Sequence, residues 1–392
     1  MIECTQGHHA QPAHRSPAAA SFLEALQARV YGSMGLTGED CQGREGSGQQ
    51  SVTPARLRRM SVSPSGPEFE RYRQELLAGL ARDEAAPRPT RFERPHQYSI
   101  LRELQEEVEH AAEVLGIGIP VRPLVGTLPT QLLEPLMLLV PECDDVVVVM
   151  DGNLLTYAHQ LSKAVAQALP FGADEYGAGE PDLGRWPVGR EVPARAVRRF
   201  NELMLAVMTG NSSLARPYLP EPAYETIATE LCDCMELFIV SREYARLVDR
   251  DHLKASTEAR AVCGERFQAL RWSSEQEMRA DGLGLALTLT AAAERGDSLS
   301  WAFFAVDALL ASFGIIERSL PILTQPAGSP LLPDVGAAHD ARRGLIRDVL
   351  RQWEGGERVI AFADAMVPLL AQLGDHFEAV LYDLRWQPRS VN

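Results

Sequence analysis

Residues 230–253 read ELCDCMELFIVSREYARLVDRDHL, and this stretch decides the fold because its apolar residues recur at helical spacing on two sides. One apolar stripe includes Met235 and Phe238, and a second includes Tyr244 and Leu247. A helix that is apolar on two sides is mostly buried. Arg242 continues the stripe of Phe238, so the pattern predicts that its charge lies inside the protein.

A second charged motif follows this helix. The sequence EQEMRAD at 275–281 supplies Glu277 and Asp281, which can pair with Arg242 and Arg246. A guanidinium group pairs with carboxylates through two parallel hydrogen bonds, and an unpaired buried charge costs on the order of 3 to 5 kcal/mol. We therefore predict an ion-pair cluster that joins two helices. The alternative is an ordinary solvated helix face, where local pairs contribute only a few tenths of a kcal/mol.

The order of these motifs resembles that of a known family. Arg242 to Arg246 resembles the H-E-x-x-H helix of gluzincin zinc metallopeptidases with arginine at both histidine positions, and Glu277 to Asp281 resembles their E-x-x-A-D element. Upstream, VGTLPT and VVVVMDGNLL resemble the strand, turn and helix before the active helix, and Ala338 to Arg342 lies where the family often has H-P-x-x-x-R. The resemblance implies a zincin-like α+β fold, with a small early β-sheet followed by a mostly helical bundle.

The resemblance also locates where a metal would bind. In the family, two neutral histidines and a glutamate bind Zn²⁺, and the glutamate after the first histidine is the general base. Arginine stays protonated and has no lone pair to offer a metal. We therefore predict neither a metal nor another cofactor at the vestigial site, whose residues are Arg242, Glu243, Arg246, Glu277 and Asp281. Arg242, Arg246 and Glu277 sum to one positive charge, as Zn²⁺, two histidines and one glutamate do.

Three further residues are candidates for the lining of a cleft: His252, His339 and Arg342. We expect a catalytically inactive, peptidase-like protein that binds a protein or peptide as a scaffold or regulator. An edge strand within Val121 to Met150 is the expected binding surface, since zincins align substrates by strand addition. Oligomeric state stays open at this level.

Two other functions are compatible with the sequence. One is an active enzyme in which Glu243 and Glu277 act as acid and base with His252 or His339, without a metal or with a relocated one. Paired carboxylates do such work only where their environments push their pKa values apart. The other is a helical interaction module unrelated to zincins.

Composition excludes several broad classes. The chain has 392 residues, 45% of them hydrophobic, and a net charge of -15, which disfavours nucleic acid and anionic membranes as partners. Six scattered cysteines indicate a reducing compartment, and Cys232 and Cys234 are expected to be buried free thiols. The apolar stretch Leu299 to Ile316 contains Asp307 and is expected to be a buried helix, with no membrane span. Without an apolar N-terminal signal, the expected location is cytoplasmic.

The first 95 residues differ from the rest in being rich in Gly, Ser, Pro and Arg. We predict a weakly ordered extension over 1–95 and a zincin-like domain over 96–392. Within the extension, short helices are expected at Ser21–Tyr31 and Pro67–Asp83. The side chains of four N-terminal residues are expected to be solvated: Cys4, His8, His9 and His14.

The remaining elements follow from periodicity and from turn residues. We predict a helix over 100–115, two or three strands between 121 and 150, and a loop over Gly172–Pro193. The four consecutive valines before Met150 are the strongest strand signal. Further helices are predicted at 153–169, 193–209, 222–249, 256–271, 274–294, 298–318, 337–353 and 357–384.

Overall fold

A computed structural model of the chain describes residues 16–36, 78, 87–169, 191–210, 215–216, 218, 220–324 and 337–386. Three predictions lie outside the described residues. They concern the N-terminal side chains expected to be solvated, the helix at Pro67–Asp83 apart from residue 78, and the loop up to residue 190. The described chain is α+β, which confirms the predicted class.

A three-stranded sheet forms early in the chain. Its strands are β1 (Leu124–Leu128), β2 (Leu136–Leu139) and β3 (Val146–Asp151), in the order β1-β3-β2. The valine-rich β3 is central, parallel to β1 and antiparallel to β2. All six of its residues are buried, which explains why its sequence is continuously apolar and does not alternate.

The two faces of the sheet pack against different layers. Helix α1 (Pro17–Ser33) and a later hairpin cover one face, where Leu23, Val147 and Val149 belong to one apolar cluster. The other face contributes Val148 and Met150 to the main core beneath the helices. The sheet is thus the middle layer of the fold, and α1 belongs to the packed structure.

Helices make up most of the remaining chain. They are α2 (Pro95–Val114), α3 (Gly152–Ala168), α4 (Ala194–Thr209), α5 (Pro222–Ala245), α6 (Ser274–Glu294), α7 (Leu299–Thr324), α8 (Ala337–Arg351) and α9 (Gly356–Trp386). A short 3-10 turn, Val248–Leu253, follows α5. The bounds agree with the predicted helices to within six residues at each end, apart from one segment.

That segment is 256–271, where the predicted helix is wrong. The residues form a β-hairpin of β4 (Ser256–Val262) and β5 (Glu265–Arg271). Cys263 and Gly264 form its two-residue turn, both with positive φ, at 49° and 85°. Positive φ at both turn positions is what a tight hairpin requires, and it cannot occur within a right-handed helix.

Helix α7 lies at the centre of the bundle. By length and composition it is the one helix among the described residues that could cross a membrane, and 89% of its most apolar window is buried within the protein. Asp307, in the middle of this helix, is buried and accepts hydrogen bonds from Arg343 and Arg347 of α8. Packing inside the bundle accounts for the apolar character of α7.

The outer edge of β1 is closed by side chains. Glu93 Oε1 accepts a hydrogen bond from the Thr127 N–H at 2.8 Å, and the Gln27 amide donates to the Thr127 carbonyl at 2.9 Å. The Thr90 hydroxyl in turn donates to Gln27 Oε1 at 2.5 Å. At Thr127, side chains therefore occupy the backbone groups with which a further strand would pair.

The outer edge of β2 is different. The Val140 N–H donates to the Asp145 carbonyl at 3.0 Å, and hydrogen-bonded pairs alternate along an antiparallel ladder. In the register of β2 with β3, Met137 and Leu139 are therefore the residues whose N–H and C=O groups point away from β3. Within the described chain, these outward groups make no hydrogen bond, although Met137 is only 1% exposed and Leu139 is partly exposed.

Candidate functional site

The candidate site lies where α5 and α6 pack closely. A Cβ atom on Gly284 of α6 would lie 3.0 Å from Arg242 Cα and 3.1 Å from its backbone nitrogen. Such contacts are tighter than most that real Cβ atoms make, so a side chain at this position would push the two helices apart by a few tenths of an ångström. The glycine therefore allows α6 to approach the part of α5 that carries Arg242, Glu243 and Arg246.

Arg242 pairs with both acidic residues of α6. Its Nε donates to Asp281 Oδ1 at 2.8 Å, and its Nη2 donates to Glu277 Oε2. Although burial alone would lower the pKa of Arg242, Asp281 and then Glu277 raise it above its ordinary value. Arg242 is thus charged and held between two carboxylates, as the sequence predicted.

Arg246 pairs with a third carboxylate as well. Its Nη1 donates to both oxygens of Glu243, at 2.6 and 2.7 Å, and its Nη2 donates to both oxygens of Glu277, each at 2.7 Å. Its guanidinium carbon lies 5.5 Å from the ring centroid of Trp272, within the range of a cation–π contact. Burial raises the pKa of Glu243, whereas Arg246 and then Arg242 oppose that rise.

Arg342 of α8 completes the cluster. Its Nε and Nη2 donate to the two oxygens of Asp281, at 2.5 and 2.9 Å. Its Nη1 lies 3.3 Å from His339 Nδ1, which is the acceptor because arginine only donates. Burial, followed by the charge of Arg342, lowers the pKa of His339 to about 4, so this imidazole is neutral near pH 7.

These six residues, Arg242, Arg246, Arg342, Glu243, Glu277 and Asp281, are called the arginine cluster below. Three guanidinium groups against three carboxylates give a net charge of zero. The side chains of the arginines are 7%, 3% and 9% exposed, so the pairs lie inside the protein. The cluster links α5, α6 and α8, and the predicted ion pairs between the first two helices are present.

The cluster is open to solvent at Glu134, in the segment before β2, and also in part at Glu277, whose side chain is 25% exposed. Glu134 Oε1 lies 3.5 Å from Arg242 Nη1 and 3.7 Å from Arg342 Nη1, while its side chain is 55% exposed. Partial burial would raise the pKa of Glu134, but Arg242, Arg246 and Arg342 together hold it below its usual value. The three guanidinium groups thus favour the charged form of Glu134.

The arginine cluster does not fit a zinc ion. Its guanidinium groups have no lone pair for a metal, and two of them pair with Glu277, the carboxylate that the resemblance implies as a ligand. Among the described residues, no group of three His, Cys, Asp or Glu side chains has the spacing to hold a metal ion.

Of the other predicted binding residues, His339 and Arg342 join the site and His252 does not. His252 is buried in the 3-10 turn after α5, and the hydrogen bonds of the arginine cluster do not include it. Glu134 was not predicted. The tertiary fold brings it close to Arg242 of α5 and Arg342 of α8, and no local pattern in the sequence marks it.

A second buried polar group lies between α3 and α5. Cys232 Sγ is 3.6 Å from His159 Nδ1, and Lys163 Nζ donates to the Tyr218 carbonyl at 2.9 Å. Burial raises the pKa of Glu236, one turn from Cys232, to about 8, and it raises the pKa of Cys232 as well. Cys232 and its neighbour Cys234 are buried thiols that form no disulfide among the described residues, as predicted.

No family model, curated protein or solved structure matches this chain. The function is therefore inferred from the site alone. The two carboxylates that could act as acid and base, Glu243 and Glu277, each direct both oxygens to guanidinium groups. These ion pairs hold α5 and α6 together. They engage both oxygens of each carboxylate, so neither carboxylate is available to exchange a proton with a substrate.

Proposed function

We propose that this protein is a zincin-like pseudopeptidase: it lacks catalytic activity and acts in a reducing, cytoplasmic compartment by binding a peptide or protein as a scaffold or regulator. The observation that supports the proposal is that Arg242 and Arg246 both pair with Glu277. It is combined with the resemblance of Arg242 to Arg246 to an H-E-x-x-H motif that has arginine at both histidine positions. Salt bridges tie the helices together in place of a metal.

The outer edge of β2 is the proposed binding surface. Its outward backbone groups at Leu139, which is partly exposed, can pair with an extended peptide, whereas Met137 is buried and the edge of β1 is closed at Thr127. The β2 edge also starts close to the opening of the arginine cluster, two residues after Glu134. Peptide binding and the vestigial site would thus share one cleft.

Binding of a degenerate, N-acetylated hexapeptide pool, followed by fluorescence anisotropy, tests this surface. Leu139→Pro removes one outward N–H and should weaken binding on the order of tenfold, since one hydrogen bond of about 1.4 kcal/mol is lost. The matched control, Leu139→Ala, shortens the side chain but keeps that N–H, and it should bind more nearly as the parent does. Equal losses in both variants would contradict pairing through the strand edge.

Metal analysis tests the ancestry of the site. In the double variant Arg242→His with Arg246→His, two imidazoles and Glu277 would face one another, and we expect zinc to bind and to raise the unfolding temperature. A double variant that folds yet gains no zinc affinity would count against the zincin geometry. Stoichiometric zinc at Glu277 in the parent protein would overturn the pseudopeptidase proposal.

A further inference from the structure

Strand β4 has an exposed outer edge. Strand β5 pairs with β4 and also packs beside β2, whereas β4 pairs with no strand other than β5 among the described residues. Five of the seven residues of β4 are exposed, and only Val262, next to the turn, is buried. An edge strand that is exposed over most of its length offers its backbone to another strand.

The register of the hairpin shows which backbone groups point outward. Val262 and Glu265 flank the two-residue turn and therefore form a hydrogen-bonded pair. Such pairs alternate along an antiparallel ladder, so every second residue, starting from Ala261, directs its N–H and C=O groups away from β5. These residues are Thr257, Ala259 and Ala261. All three are exposed, and no hydrogen bond within the described part of the chain uses their outward groups.

Strand β4 lacks the features that usually keep edge strands from pairing. It contains no lysine, no proline and no bulge, and the residues with outward backbone groups have small side chains. Its two charges have opposite sign and lie on either side of Ala259, at Glu258 and Arg260. Both side chains are accessible, at 26% and 49% exposed. The charge pattern of this edge is therefore complementary to itself.

The charges and the backbone favour the same pairing of two copies. In antiparallel pairing about Ala259, this residue lies opposite its own copy, and Thr257 lies opposite Ala261, so all the outward groups are used. The three resulting pairs exchange about six hydrogen bonds. Glu258 then lies opposite Arg260 of the second copy, in the non-hydrogen-bonded pairs where side chains come closest.

Other registers of the same edge bring like charges together. A shift of two residues keeps the outward groups paired but places Glu258 opposite Glu258, or Arg260 opposite Arg260. Like charges directly opposite one another destabilise a strand pair. One antiparallel register is thus favoured over its neighbours.

We propose that two copies of this chain pair through β4, antiparallel and about Ala259, to form a continuous four-stranded sheet in the order β5-β4-β4-β5. The pairing is twofold symmetric and therefore closes at a dimer. An interface built on one seven-residue strand is small, so the dimer is weak and depends on concentration. This inference is independent of peptide binding at β2, because it involves a different strand.

Sedimentation velocity of the full-length protein, from about 1 to 200 μM, tests the pairing, and we expect monomers at low and dimers at high concentration. Ala259→Pro removes an outward N–H from each copy and keeps the hydrogen bonds to β5, because this N–H points away from β5. It should weaken dimerisation by at least about tenfold. The matched control, Ala259→Ser, keeps the N–H and should dimerise as the parent does.

Two charge variants test the register. Glu258→Arg and Arg260→Glu each place like charges opposite one another, and each alone should dimerise on the order of tenfold more weakly than the parent. An equimolar mixture of the two restores opposite charges between chains and should form a heterodimer with an affinity near that of the parent. Neither variant keeps the contact between Arg260 and Glu258 within its own chain, so recovery in the mixture reports a contact between chains.

The outcomes that would overturn the inference are distinct. A parent protein that stays monomeric at the highest concentration excludes the dimer and leaves peptide binding at β2 untouched. A dimer that Ala259→Pro leaves unweakened, with the native circular dichroism spectrum, forms through another surface. If the proline variant does not fold, the charge variants decide: a mixture that associates no better than each variant alone contradicts antiparallel pairing about Ala259.

Discussion

Replacing Arg246 by methionine should destabilise the protein strongly. Arg246 is the only arginine that hydrogen-bonds Glu243 among the described residues, and the Glu243 side chain is 1% exposed. Removing one partner of a buried pair typically costs about 3 to 5 kcal/mol, because the other charge remains buried and unpaired. The contact with Trp272 and two hydrogen bonds to Glu277 are lost as well, so we expect a value in the upper part of that range.

A double-mutant cycle isolates the pair from the loss of packing. In Glu243→Met with Arg246→Met, no uncompensated charge remains at Glu243, and apolar side chains of similar volume fill the space. We expect the double variant to be more stable than Arg246→Met alone by at least about 2 kcal/mol. A sum of the two single effects would show instead that the ion pair is unimportant.

Equilibrium urea unfolding at pH 7, followed by circular dichroism, measures these differences. Arg351→Met is the matched control, because Arg351 pairs with Asp348 at the i,i+3 spacing of Glu243 and Arg246, but on an exposed surface. Its cost should stay within about 0.5 kcal/mol. The reasoning fails if Arg246→Met costs no more than Arg351→Met while both variants keep the native spectrum.

Two further predictions concern the packing and the pH dependence of the fold. Gly284→Ala should lower the free energy of unfolding by about 1 to 3 kcal/mol in urea, since the added methyl meets the backbone of Arg242. In the control Gly344→Ala the methyl meets nothing within 4 Å, and the free energy of unfolding should rise by up to about 1 kcal/mol. Changes of the same sign in both variants would refute the close approach of α5 and α6. Burial raises the pKa of Glu236 to about 8 from an ordinary 4.5, so its contribution to stability is complete below 4.5 and is lost as the pH rises through 8. The free energy of unfolding of Glu236→Gln, relative to that of the parent protein, should therefore rise by up to about 1.4 kcal/mol per pH unit between about pH 6.5 and 8. The exposed Glu113→Gln should show no such trend.

Local signals explain why most elements could be predicted. Helix α6 begins at Ser274 after Ser273, whose side chain and that of Gln276 form a reciprocal capping box, and this motif is visible in the sequence. The central strand was equally plain, since a run of valines favours a strand. The β4–β5 hairpin was missed although Gly264 gives a turn signal, because an isolated glycine is also tolerated within a helix and the other turn residue, Cys263, has a positive φ that cysteine does not indicate.

The sequence predicted the charged residues that α5 and α6 contribute to the site, but it did not predict the contacts made by residues outside these two helices. Arg242 and Glu277 were paired from motif spacing, which fixes the side of each helix on which they lie. The two bonds from Arg342 to Asp281 span 61 residues of sequence, and they depend on how α8 packs against α6. Glu134 belongs to the same class of contact, since tertiary packing alone brings a connecting segment to the arginines.

Helix α1 has a consequence for any shortened form of this protein. Gln27 of α1 supplies one of the two side chains that occupy the backbone of β1 at Thr127, and Leu23 covers the adjoining sheet face. A shortened chain that lacks residues 1–33 would expose the edge of β1 and an apolar face of the sheet to other molecules in solution. Exposed strand edges pair with strands of other molecules, so the shortened protein should self-associate and precipitate.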